Sequence, residues 1–163
     1  MNYDDYSKAC DKIRAKNSEY LNLFEQALVD DGLKDSTIKR HLSNIDFYIN
    51  DFLLYEEPLT MDYGIAKIDS FLGDFFIRKC MWSTPGNIKS TAASIKKFYK
   101  CMMDCGIVKK SNYEFLCSEI KDGMETWQAD CAIYNDPEQP NPFTFFFWRG
   151  DSYETWMDKK QKF

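Results

Sequence analysis

The residues of this chain that could do chemistry are lysines, and they concentrate in one part of the sequence. Between Arg78 and Lys110 there are eight cations and one anion, Asp104, whereas the whole chain has a net charge of −5. Clustered Lys and Arg side chains attract phosphates, so this asymmetry favours a polyanionic partner. A solvated lysine face on an ordinary helix would give the same pattern, and the charge pattern alone leaves both interpretations open.

Other side chains give little sign of catalysis. His41 is the only histidine, so a nucleophile–base pair or a zinc site has few residues to draw on. The carboxylate pairs Asp30-Asp31 and Glu56-Glu57 fall where helices are expected to end, as solvated termini do. The chain has no phosphate-binding glycine loop and no G-x-S-x-G motif. The sequence therefore predicts a protein that is not an enzyme and uses neither a cofactor nor a metal.

The six cysteines and the first residues of the chain indicate the cellular compartment of the protein. No C-x-x-C motif occurs, and Cys101 and Cys105, four residues apart, suit packing as small apolar side chains. The first residues, MNYDDYSK, are polar and acidic, unlike a signal peptide. The apolar run near Phe145–Trp148 is too short to span a membrane. We therefore expect a reduced, cytoplasmic protein with no membrane partner.

The lysines belong to a predicted helix that runs from Pro85 to Cys105. Thr84 can cap its free N–H groups, Pro85 suits the first helical position, and Gly106 suits the turn that ends it. Apolar residues recur at spacings of four and three along one face, which is the pattern of a core-facing helix. They are Ile88, Ala92, Ile95, Tyr99 and Met102.

The rest of the chain up to residue 135 has the same helical periodicity. Residues Asp4 to Asp30 are predicted to form one long helix or two shorter ones. Further helices are predicted from Asp35 or Ser36 to the Glu56-Glu57-Pro58 stop, from Thr60 or Asp62 to about Met81, and after a Ser111–Glu114 capping box. The sequence thus predicts an all-α bundle of about five helices over residues 1–135. Its expected core includes Phe24, Leu42, Ile49, Leu72, Phe75, Ile95 and Tyr99.

An aromatic and acidic extension follows, over residues 136–163. Its DPEQPNP stretch is rich in turn residues, so we expect an irregular tail. Besides Tyr153, six large aromatic side chains lie between residues 143 and 156: Phe143, Phe145, Phe146, Phe147, Trp148 and Trp156. We expect these to fold back on the bundle, because several exposed aromatics would form a sticky patch. The acidic neighbours of these aromatics could weaken binding of an anionic ligand, which would make the tail autoinhibitory.

Two stretches carry a resemblance to a known family. The first is Gly32–Leu42, GLKDSTIKRHL, which leads into a helix that closes with Phe52-Leu53; the second is Ser90–Val108. Both resemble the N-terminal, SAM-like core-binding domain of tyrosine recombinases, the phage-type integrases, at its second and fourth helices. The likeness covers residues 18–112 and concerns helix patterns.

The resemblance implies a helical bundle that clamps one face of duplex DNA through its second and fourth helices. The basic positions that match are Lys34, Lys39, Arg40, Lys89, Lys96, Lys97 and Lys100. The family's cutting activity needs histidines, arginines and a tyrosine in a further domain, but only 51 residues follow Asn112, with no histidine and one arginine, Arg149. We therefore expect a non-catalytic DNA-binding module. The alternative is an interaction or regulatory module that docks a protein partner with the same bundle, favoured by the anionic remainder of the chain.

Overall fold

The computed structural model describes residues 1–143, and the described chain forms five helices and no strand. Helix α1 is Tyr3–Asp30, and α2 is Asp35–Asp46 continued by a π-helical turn, Phe47–Phe52. A short 3-10 helix, Met61–Ile65, precedes α3, which consists of Ile68–Ser70, a π-helical Phe71–Phe75 and Phe76–Lys79. Helix α4 is Pro85–Asp104 and α5 is Lys110–Asn135. The predicted all-α bundle is confirmed.

Helix α4 is the centre of this bundle and packs against α1, α2 and α5. Its predicted apolar face is buried, with Ile88, Ile95 and Tyr99 fully inaccessible. The Thr84 hydroxyl accepts a hydrogen bond of 3.0 Å from the Asn87 backbone N–H, which caps the helix as predicted. Local sequence signals and burial agree along the whole of α4.

Of the other core residues that the sequence predicts, most are buried as expected. Phe24, Ile49 and Leu72 are at most 1 % exposed. Leu42 and Phe75 are only partly buried and pack against the edge of the core. The core therefore lies where the helical periodicity indicates, with two residues at its rim.

Two wide π-helical turns, one in α2 and one in α3, bring an aromatic cluster together. A π turn uses i→i+5 hydrogen bonds, as between the Leu53 N–H and the Tyr48 carbonyl at 3.1 Å. It therefore aligns residues five apart, and the rings of Phe47 and Phe52 both contact that of Phe75, with centroids 6.2 and 5.1 Å away. An ordinary α-helical turn would point these two rings in different directions.

The third helix starts later than the sequence predicts. Residues Met61–Ile65 form the separate 3-10 helix, and α3 begins only at Ile68. Two buried hydroxyls hold this segment: Tyr48 donates to the Gly64 carbonyl, and Tyr99 donates to the Met61 carbonyl at 2.6 Å. These contacts from α2 and α4 satisfy backbone groups that a continuous helix would have paired internally.

Helix α5 lies antiparallel to α4 and covers α3 with Trp127. The indole N–H of Trp127 donates to Asp69 at 2.7 Å, and Gln128 donates to the Pro85 carbonyl at 2.9 Å. The predicted capping box is wrong, because α5 begins at Lys110, with Lys109 at the N-cap position and no side-chain cap bond. Contacts with α3 and α4 therefore position this helix.

The described chain ends on the surface of the bundle, after a turn that follows α5. The Phe143 ring lies 5.8 Å from that of Tyr134, and the Arg78 guanidinium lies 5.7 Å from the Phe143 centroid. The first aromatic side chain of the extension thus packs on the bundle. The other aromatics expected to pack there, and the predicted autoinhibition, lie outside the described residues. No helix within residues 1–143 combines the length and apolarity that a membrane span requires.

Candidate nucleic-acid interface

The four lysines of α4 form one exposed stripe along the helix. At about 100° per residue, Lys89, Lys96, Lys97 and Lys100 fall within an arc of about 100°, opposite the buried face. All four are exposed. Among the described residues, the first three make no ion pair, and Lys100 pairs with Asp104 at 3.2 Å. Since that pair is more than half exposed on both sides, it holds Lys100 only weakly.

Arg40 of α2 lies beside this stripe, with the buried His41 between the two helices. The Nδ1 atom of His41 lies 2.7 Å from the Ser94 hydroxyl on α4, which also accepts from the Asn44 amide at 2.9 Å. Burial lowers the pKa of His41, and the charges of Arg40 and Lys97 lower it further. His41 is thus a neutral structural residue at the α2–α4 interface, and a cation from each helix flanks it.

The two remaining predicted residues lie away from this pair. Lys34 is exposed at the residue before α2 begins. Lys39 is also exposed, but it lies about 100° around α2 from Arg40, in the same row as Asp35 and Asp46. The structure therefore groups Arg40 with the α4 stripe and places Lys39 in a row of mixed charge.

Two other cations of the basic segment, Arg78 and Lys110, have carboxylate partners. Arg78 makes two hydrogen bonds with Asp74, at 2.6 and 2.8 Å, in addition to its contact with the Phe143 ring. Lys110 lies 3.9 Å from Glu114. The cationic surface that is open to a ligand is consequently smaller than the sequence segment and centres on α4.

One edge of the stripe borders carboxylates. A groove of about 600 Å³ between α1 and α4 is lined by Lys97 and Lys100 together with Asp30, Asp31 and Asp104. Anionic groups this close reduce the attraction for phosphates at this edge. A polyanion would therefore meet the more favourable potential at Lys89 and Lys96, which do not line this groove.

A second groove, between α2 and α4, contains residues that the sequence analysis passed over. It has a volume of about 320 Å³, and its lining includes Arg40, Asn44, Phe47, Trp82, Asn87 and Ser90. Trp82 is 60 % exposed although it is among the largest apolar side chains. A tryptophan in the short connection between two helices is the sequence feature that could have indicated this groove, because such connections are usually polar.

Two buried cysteines have thiols of low reactivity. Burial raises the pKa of Cys80 and of Cys101 to about 11, so both thiols are protonated near neutral pH. All six cysteines are free. Within residues 1–143 no three His, Cys, Asp or Glu side chains are grouped as metal ligands would be.

Comparison of the chain with family models, curated proteins and solved structures finds no match. The recombinase resemblance therefore stays a prediction. The structural features that bear on function are the α4 stripe, Arg40 and the adjoining groove.

Proposed function

We propose that this protein is a non-catalytic module that binds duplex DNA, related to the core-binding domain of tyrosine recombinases. The observation that carries the proposal is the α4 stripe, in which three lysines have no ion-pair partner among the described residues and Arg40 lies alongside. Lysines without ion-pair partners on a rigid helix can neutralise neighbouring phosphates of a DNA backbone. The proposal places the protein in the cytoplasm, where its free thiols stay reduced.

The negative net charge does not oppose this proposal, because the charges are segregated. Helix α4 has four lysines and one aspartate, whereas α5 has two lysines and five carboxylates. Repulsion from the distant anionic surfaces is screened beyond a Debye length of about 8 Å at physiological salt. The stripe can therefore contact phosphates while the rest of the surface faces solvent.

The experiment is a fluorescence titration of labelled duplex DNA at two salt concentrations. Five phosphate contacts, from the four lysines and Arg40, give a slope of about −4.5 in a plot of log K against log salt. Binding should therefore weaken about 500-fold between about 50 and about 200 mM salt. Changing Lys89, Lys96, Lys97 and Lys100 to Gln should reduce the slope to about −1.

A matched control has the same change in charge elsewhere. Lys8, Lys12, Lys16 and Lys121 are exposed lysines outside the stripe, and changing all four to Gln should leave most of the salt dependence in place. Equal losses from both variants would mean that net charge, rather than the stripe, governs binding. Absence of binding by the unchanged protein at low salt would overturn the proposal.

A second candidate, docking of a protein partner, is favoured by the α1–α4 groove. That groove has charges of both signs, and Leu23, which also lines it, is 43 % exposed. Interleaved charges around an apolar contact are typical of protein interfaces and unfavourable for DNA. Light scattering on the purified protein with and without DNA would separate the two functions. Recovery of a stoichiometric protein complex that resists nuclease, and that Leu23→Asp abolishes, would favour this candidate.

A further inference from the structure

Trp82 is an exposed tryptophan that the structure holds in place. Its ring packs edge-on against Phe47, with centroids 6.1 Å apart and planes at 68°. Its carbonyl accepts from the Asn87 side chain at 2.8 Å. The next residue, Ser83, is 3 % exposed; its hydroxyl donates to the Ile77 carbonyl and its own carbonyl accepts from Asn135. The connection is thus tied to α3, α4 and α5, and the exposed indole face is preorganised.

The groove beside this indole has unused hydrogen-bonding capacity. The Asn44 amide nitrogen donates to Ser94 and the Asn87 amide nitrogen donates to the Trp82 carbonyl. Within residues 1–143, neither side-chain amide oxygen of Asn44 and Asn87 receives a hydrogen bond, so both can accept from a ligand. Arg40, which also lines the groove, makes no ion pair in the described chain and offers up to five donors.

We propose that this groove binds one unpaired nucleotide of a DNA strand, an inference that rests on the proposed function. The indole face would stack on the base, which is the usual way that proteins hold single-stranded bases. The amide oxygens of Asn44 and Asn87 accept from the exocyclic amino group of adenine or cytosine. The Arg40 guanidinium contacts the adjoining phosphate, and the volume of about 320 Å³ is at the lower end of small-ligand sites.

The charges around the groove select this ligand over a peptide. Ser90, on the α4 side of the groove, directly follows Lys89, and Arg40, which also lines the groove, lies with Lys97 beside His41. A strand that follows the lysine stripe would therefore pass the opening of the groove. The substrate class is accordingly DNA with an unpaired base, such as a bulge, a junction or a locally opened duplex.

The test compares a perfect duplex with a duplex that has one bulged adenine, and the same bulge with 2-aminopurine, whose fluorescence is quenched on stacking, reports the stacking alone. Unchanged protein should bind the bulged duplex about 5- to 150-fold more tightly, as one stacked base provides. Trp82→Ala should bring the ratio of the two affinities close to one and remove the quench, and Trp82→Phe should restore part of both. Met81→Ala is the matched control, since Met81 is fully exposed, adjoins Trp82 and does not line the groove.

The outcomes separate this inference from the proposed function. Equal affinity of the unchanged protein for both duplexes, or a preference that survives Trp82→Ala, would overturn the inference and leave the lysine stripe as a duplex-binding surface. Binding of free deoxyadenosine monophosphate without any preference for the bulged duplex would also overturn it. No binding to either duplex would overturn the proposed function itself. Circular dichroism of Trp82→Ala checks its folding, which we expect to persist because the side chain is mostly exposed.

Discussion

Helices α4 and α5 lie side by side, but they differ in how many residues they bury and in the charge of their exposed faces. Nine residues of α4 are buried, spread over its whole length, whereas α5 buries four and relies on one large side chain, Trp127. The exposed face of α4 is basic and that of α5 is acidic. A helix anchored along its full length can present a charged face without loss of stability, because its lysines are not needed for packing. This is the physical reason to look for the ligand on α4.

The largest effect on stability should come from removing Trp127, the side chain that anchors α5. Trp127→Ala removes a buried indole and its hydrogen bond to Asp69, and it leaves a cavity between α5 and α3. We expect a loss of about 3–5 kcal/mol in the free energy of unfolding, measured by urea denaturation. A loss below about 1 kcal/mol would mean that α5, like α4, is anchored at many points, and would break the comparison.

The next effect concerns glycines, where the two helices should respond with opposite signs. A Cβ added at Gly123 of α5 would lie 2.2 Å from the Trp127 ring, so Gly123→Ala should destabilise the protein by about 1–3 kcal/mol despite alanine's higher helix propensity. Gly86 of α4 is the control, because its nearest neighbour would be 3.8 Å away. Gly86→Ala should be neutral or stabilising by up to about 1 kcal/mol in thermal denaturation. Stabilisation by Gly123→Ala would contradict the packing of Trp127.

Removing a side chain at the start of each helix should change the stability by a smaller amount, and by different amounts in the two helices. Thr84→Ala removes the hydrogen bond to the Asn87 N–H at the start of α4 and should cost about 1 kcal/mol. Ser111→Ala, at the start of α5, should change the stability by less than about 0.5 kcal/mol, since Ser111 lies inside the helix and does not cap it. Matched urea denaturation of the two variants tests the difference, and equal costs would restore the capping box that the sequence predicts.

The smallest effect is a pH dependence at the interface of α4 with α2. Burial, Arg40 and Lys97 lower the pKa of His41 below its ordinary value of 6.5, so the unfolded chain binds more protons in the window between the two values. This contribution to stability is complete above pH 6.5 and is lost as the pH falls through that window. His41→Gln should flatten the dependence in denaturation series run across this range. An unchanged slope would show that other groups titrate there.

The comparison also shows how far local signals reach. In α4 the cap, the proline, the terminal glycine and the apolar face all come from residues within a few positions of one another, and each was predicted correctly. In α5 the capping signal failed, since its start is set by packing on α4. Gly123 lowers the helix propensity of α5, but the Trp127 ring packs so closely against it that no larger residue fits there.

The sequence by itself determined the helical class, the buried and basic faces of α4 and the segregation of charge, because these follow from short-range periodicity and composition. Only the tertiary structure decided the π turns, the 3-10 helix held by Tyr48 and Tyr99, and the position of Arg40 and Lys97 on either side of His41. It also decided the groove under Trp82. Apart from the π turns themselves, each of these joins residues from different helices, and contacts between residues distant in the sequence outweigh the preferences of a single turn of chain.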